Sequence, residues 1–243
     1  APGGVEGGVL MQIEGRHRST GGNALRAAVL GANDGLVSNL SLVMGVAGAT
    51  LAGNSVLIAG IAGLLAGSIS MALGEWLSVQ SSRELYTHQI ETEKEEIATA
   101  PEEEAEELAL IYEARGLAPE TARTLATQIM ANPNTALDTL AREELGINPD
   151  DLGGSAWEAA ITSFVLFALG AIIPVAPFIF TSGMPAVYIS IVLSALGLFG
   201  LGAAITLFTG RSVLYSGFRM VLFGLIAAAV TFGIGRLIGV TVT

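Results

Sequence analysis

Apolar residues gather in five long stretches, divided by one polar tract between the second and the third. The stretches are Ala24–Leu51, Ser55–Leu77, Ala159–Phe180, Ala186–Phe208 and Met220–Val240. Each reaches the length of about 20 residues that a helix needs to cross a bilayer core. None has the short apolar run and small-residue cleavage site of a signal peptide, so no processing is expected. The polar, Gly-rich residues 1–22 predict a disordered tail. No Gly or Pro lies between Glu75 and Ala98, so the second span is predicted to continue as one helix from Ser55 to Ala98. At 1.5 Å per residue such a helix is about 66 Å long, and the bilayer core takes up only about 30 Å of it. Pro101 then opens a helix over Glu102–Ala114 that ends at Gly116. Pro119 opens another to Ala131, and a fourth runs from Asn134 to Leu145 before Gly146. Pro174 and Pro177 predict a kink or break in the outer half of span three.

The pattern therefore predicts an all-α integral membrane protein with five transmembrane helices. Residues 23–81 carry spans one and two, 82–155 form a helical insert, and 156–243 carry spans three to five. The insert has so little apolar surface that a second copy or a bound metal is expected to complete it. Composition agrees with the membrane class: 51% of residues are hydrophobic, 14% are charged, and the mean hydropathy is +0.63.

Charge adds a direction. The net charge is -11, and it is not evenly spread. Residues 82–155 hold 17 Asp or Glu against 5 Lys or Arg, a net of -12, whereas the rest hold 5 against 6, a net of +1. Such an insert disfavours nucleic acid or anionic lipid as a partner and suits a cation. Arg16, Arg18, Arg26, Arg83, Arg211 and Arg219 flank one set of span ends, while the turns at Ala52–Asn54 and Thr181–Pro185 carry no charge. The excess of positive residues puts the N-terminus and the insert in the cytosol, with Arg236 the one exception. The chain has no Cys, which excludes disulfides and thiolate metal sites. The compact Ala- and Gly-rich chain favours a prokaryotic plasma membrane, with a vacuolar membrane as the alternative.

Candidate chemistry starts with Asp34, inside Gly31-Ala-Asn-Asp-Gly35 of span one. A charge at mid-helix costs about 2.5–3.5 kcal/mol on insertion scales, so it is paired, protonated or used. Met71 on span two would add a soft thioether beside it, or is an ordinary core filler. Glu75 lies one turn on from Met71, as a path ligand, a proton acceptor or an interfacial charge. In the insert, nine acids crowd Glu91–Glu107 against Lys94 alone. Glu93 with Glu96, and Glu104 with Glu107, share helix faces and would converge across the Thr99–Pro101 turn. The cluster is either a divalent-cation site or a solvated acidic surface. Enzyme readings fail: di-iron sites need Glu-x-x-His pairs on two helices, whereas only His17 and His88 exist and Glu84 to His88 is the wrong spacing, and no Walker loop appears.

Several motifs in order resemble the vacuolar iron transporter family. They are Asn33-Asp-Gly35, Ser68-Ile-Ser-Met-Ala-Leu-Gly-Glu75, the Glu-x-x-Glu helices, Asn132-Pro133 with Leu137-Asp138, Glu144-Leu-Gly146, and Gly170-x-x-x-Pro174-x-x-Pro177. The likeness runs from about Ala24 to the C-terminus and is of the prokaryotic type. It implies a homodimer of five-span subunits with the ion path at the interface, exchanging cytosolic Fe²⁺, and in places Mn²⁺, for protons. It implies that Asp34 and Met71 line the path and that Glu93, Glu96, Glu104, Glu107 and Glu144 bind metal in the insert. Two methionines of the family pattern are replaced here by Leu140 and Ala141, which makes the insert's site an all-oxygen one. A membrane acid of plant relatives falls at Gly63, and Glu75 stands where they have Gly.

The resulting expectation is a proton-coupled antiporter exporting Fe²⁺ or Mn²⁺, with protons returning through Asp34 or Glu75. No cofactor is expected beyond Fe²⁺ or Mn²⁺ as transported and regulatory ion. The expected partners are a second copy, divalent ions, protons and lipid. A cation channel or uniporter, or a metal-sensing membrane protein, is the alternative.

Overall fold

The computed structural model describes residues 20–150 and 152–242. Among them there is helix and loop but no strand. The elements are α1 (Thr20–Ala49), α2 (Gly53–Thr99), α3 (Pro101–Ala114), α4 (Pro119–Met130), α5 (Pro133–Glu143), α6 (Ala156–Val175), α7 (Pro177–Phe180), α8 (Gly183–Thr209) and α9 (Val213–Val242). Of the tail expected over 1–22, residues 1–19 lie outside the described residues, and Thr20 already begins α1. The chain divides into two compact units, one reaching to Leu73 and resuming at Ala160, the other Gly74–Ala159. Helix α2 contributes to both.

Five helices are long and apolar enough to cross a membrane, as the pattern predicts: α1, α2, α6, α8 and α9. In hydrocarbon the backbone must satisfy its own hydrogen bonds, which is why each stretch forms helix throughout. Within the first unit α9 packs on α1 and α8, and α1 also meets α8. Their shared core holds Leu40, Val43, Met44 and Ala47 of α1 with Val56, Val175, Phe178, Ala186, Val187 and Ala228. Helices α1 and α6 cross closely at two glycines. A methyl at Gly35 would collide with the carbonyl of Phe167, and one at Gly170 with the carbonyl of Ala32. The prolines of span three do break it. Pro174 and Pro177 have no N–H for the carbonyls of Gly170 and Ile173, α6 stops at Val175, and Ser190 Oγ donates to the Pro174 carbonyl at 2.7 Å.

In the second unit α2 continues to Thr99, one residue past the expected end, for 47 residues in all. Prolines stand at the first turn of α3, α4 and α5, and Asn132 caps α5 by accepting from the Asn134 N–H at 3.1 Å. These helices enclose a small core of Leu108, Ala109, Ala122, Ala126 and Leu140, with Ile97 of α2 against it. Three of the five core residues are alanines, which let helix backbones close up and seal a core with little side-chain volume. Arg83 donates to the Gly154 carbonyl, and the Trp76 and Trp157 rings lie 6.0 Å apart.

Candidate cation path and acidic cluster

The first unit contains a cavity of about 370 Å³ between three helices. Helix α1 lines it with Asp34, Ser38, Asn39 and Leu42, α2 with Gly63, Gly67, Ser70 and Met71, and α6 with Phe167. Asp34 is exposed, and among the described residues no ion pair involves it. Ser38 Oγ donates to the Asp34 main-chain carbonyl at 2.6 Å, tying the next turn of α1 to this one. The Met71 thioether lies over Gly31, its Sδ 4.0 Å from where a Cβ on that glycine would stand. Glycine at 31 is what lets the sulfur approach α1. Asp34 and Met71 are thus brought to one cavity. Glu75 is not part of its lining and is exposed one turn further along α2.

Asn39, which the sequence reading passes over, is the buried polar group of the same cavity, 2% exposed. Its Nδ2 donates to the carbonyls of Gly60 at 3.1 Å and Ala171 at 2.7 Å. A carboxamide five residues after Asp34 in an apolar span is the signal that could have found it.

In the second unit the turn at Ala100 folds α3 back on the end of α2. The Glu104 N–H donates to the Ala100 carbonyl at 3.2 Å, and Pro101 starts α3 with its first-turn acids Glu102, Glu103 and Glu104. Acids there complement the helix dipole, whereas Glu95 and Glu96 in the last turn of α2 oppose it. Carboxylate oxygens of Glu93, Glu104 and Glu144 come within 4.8 Å of one another. Glu93 and Glu104 are 3% and 6% exposed, while Glu144, Glu96 and Glu107 lie on the surface.

Burial and crowding shift the titration of Glu93, Glu104 and Glu144 upward. Burial, then Glu144 and Glu104, raise the Glu93 carboxyl to about 8. Burial and Glu107 raise Glu104, partly offset by the hydrogen bond it accepts from Glu93. Glu144 is raised by burial, then by Glu107 and Glu96. Glu96 and Glu107 thus bear on the cluster formed by Glu93, Glu104 and Glu144. The bases stand elsewhere: Arg115 pairs with Glu143, Arg123 with Glu106, and Arg142 with Asp138 and Asp150. Among the described residues no ion pair reaches the five. Glu93 Oε1 is buried without a hydrogen-bond partner, and three converging oxygens with no nitrogen or sulfur suit a hard or borderline divalent ion. Leu140 and Ala141, the positions without methionine, are fully buried.

The model of the VIT family matches residues 25–236. Vacuolar iron transporter 1 of Arabidopsis thaliana is 35% identical over 220 residues, covering 90% of this chain and 88% of that protein. The vacuolar iron transporter of Acanthamoeba castellanii is 38% identical over 238 residues, 95% of this chain and 85% of its own. Vacuolar iron transporter 1 of Eucalyptus grandis is 32% identical over 236 residues, 97% and 94% of the two chains.

Proposed function

The chain belongs to the VIT family, whose members are transporters rather than enzymes, and we propose that it exports Fe²⁺, and also Mn²⁺, from the cytosol in exchange for protons. The observation that carries this reading is the cavity in the membrane-spanning unit that holds Asp34 and Met71 together. A carboxylate and a thioether suit a borderline transition ion better than Ca²⁺ or Mg²⁺. The glutamates at 93, 96, 104, 107 and 144 collect the ion on the cytosolic side, where a divalent cation offsets their mutual repulsion. Protons return through a carboxylate, Asp34 or Glu75.

A homodimer with the path at its interface fits the same features. Asp34 is exposed in the single chain, and so are Ile58, Ile61, Leu65, Ile69 and Leu73 along α2. Isoleucine and leucine can face lipid, but a carboxylate at membrane depth needs a water-lined or protein surround. A second copy supplies one. The relatives' names are vacuolar, and none supports the expectation of a prokaryotic plasma membrane. On either membrane the insert faces the cytosol in this reading.

The test is metal uptake into proteoliposomes containing a pH dye, with Fe²⁺, Mn²⁺, Ca²⁺ and Mg²⁺ in turn. Entry of Fe²⁺ or Mn²⁺ with protons moving the other way supports the antiporter. Metal entry with no pH change makes it a channel or uniporter, and no entry leaves a sensor.

A further inference from the structure

Asn39 is held in one orientation by its surroundings. Both groups it meets through Nδ2, the main-chain carbonyls of Gly60 and Ala171, are acceptors only. Turning the amide over would set Oδ1 against them, so the nitrogen side is fixed by chemistry. The oxygen is then fixed as well. It is buried, has no hydrogen-bond donor, and belongs to a side chain that lines the cavity of Asp34 and Met71. A Cβ on Gly63, which lines the same cavity, would stand 2.7 Å from that oxygen. A side chain at 63 would collide with Leu42 Cδ2 and with that oxygen, which is why the position is glycine. A buried acceptor without a donor is costly, and a cation supplies the missing partner.

We propose that Asn39 Oδ1 is a further ligand of the cation in the membrane cavity, a neutral oxygen held beyond Asp34 on α1. The inference rests on the reading of this cavity as the cation path. Asp34 and Asn39 are five residues apart, about 7.5 Å along the helix axis. The ion thus meets the carboxylate and the thioether, and then a carboxamide oxygen that adds no charge. An uncharged second ligand binds a divalent ion less firmly than another carboxylate would, which helps it leave.

Full-length protein in proteoliposomes tests this through initial rates of Mn²⁺ entry against concentration. Asn39→Leu keeps the branching at Cγ, in a somewhat larger side chain, and removes both the oxygen and the donors. Asn39→Asp removes the amide donors and keeps an oxygen. The leucine variant is expected to raise the half-saturating Mn²⁺ concentration at least about tenfold, and the aspartate variant, whose charge holds the ion more firmly, to lower it while slowing the maximal rate. If both raise it alike, Asn39 only braces α1 to α2 and α6, and the proposal is overturned. It is overturned equally if leucine changes nothing while Asp34→Asn abolishes entry, an outcome that leaves the transport reading standing. No entry with the wild type would overturn both. If the leucine variant does not fold, Asn39→Ala takes its place, with the same comparison against aspartate.

Discussion

A carboxylate at membrane depth with no base paired to it, as Asp34 is among the described residues, must be neutralised by a proton or a cation. Asp34→Asn keeps the shape and removes that need. It is expected to abolish metal entry into proteoliposomes while the variant elutes and melts like the wild type; wild-type transport by it would end the role. Glu93 makes a prediction of opposite character. With its carboxyl raised from 4.5 to about 8, the folded chain holds a proton that the unfolded chain releases across that window. Stability is therefore highest below about 4.5 and falls as pH rises toward 8. Melting of the metal-free protein should drop between pH 5 and pH 8, Glu93→Gln should flatten the change, and Mn²⁺ should restore the loss at pH 8. These residues differ in how far the sequence exposes them. Asp34 stands out as a charge in hydrocarbon, and Glu93 and Glu104 by helical spacing. Glu144 lies about forty residues beyond Glu104, in the cap of another helix, so only family resemblance reaches it. Asn39 reads as one more polar packing residue until its two acceptor carbonyls are known.

At the scale of elements, prolines and apolar runs did most of the work. The absence of Gly and Pro after Glu75 was enough to foresee an unbroken helix to Ala98, and α2 runs one residue further, to Thr99. Pro101, Pro119 and Pro133 mark the starts of α3, α4 and α5, because proline fits the first turn and disrupts any later one. Packing was less legible. Alanine contacts in the insert core look weakly apolar along the chain and become a sealed cluster only in three dimensions. The crossing of α1 and α6 is similar, since a glycine in a span gives no indication of which backbone it meets. Gly35→Ala should force α1 away from the Phe167 carbonyl, at a cost of about 1–3 kcal/mol. A lowered melting temperature of the purified protein would register it, and no change would mean the crossing is looser than the contact implies.

The whole molecule combines an acidic helical unit with a membrane unit whose Asp34 has no ion-pair partner among the described residues. If two copies meet along α2, the cysteine-free sequence offers a clean assay. Ala66 is exposed one turn from the cavity residue Ser70, so Ala66→Cys should form a disulfide-linked dimer under mild oxidant; a monomer band alone would argue against that interface. The placement of donors across the molecule has a redox consequence. The insert's cluster offers only oxygen, with Leu140 and Ala141 buried where sulfur could have stood. Met71 is then the one oxidisable atom among the proposed ligands. Peroxide, which ferrous iron readily meets, converts a thioether to a bulkier, polar sulfoxide and leaves carboxylates untouched. Oxidised protein should transport slowly yet bind Mn²⁺ as before: the passage jams while the acidic cluster keeps filling, so damage turns a transporter into a store.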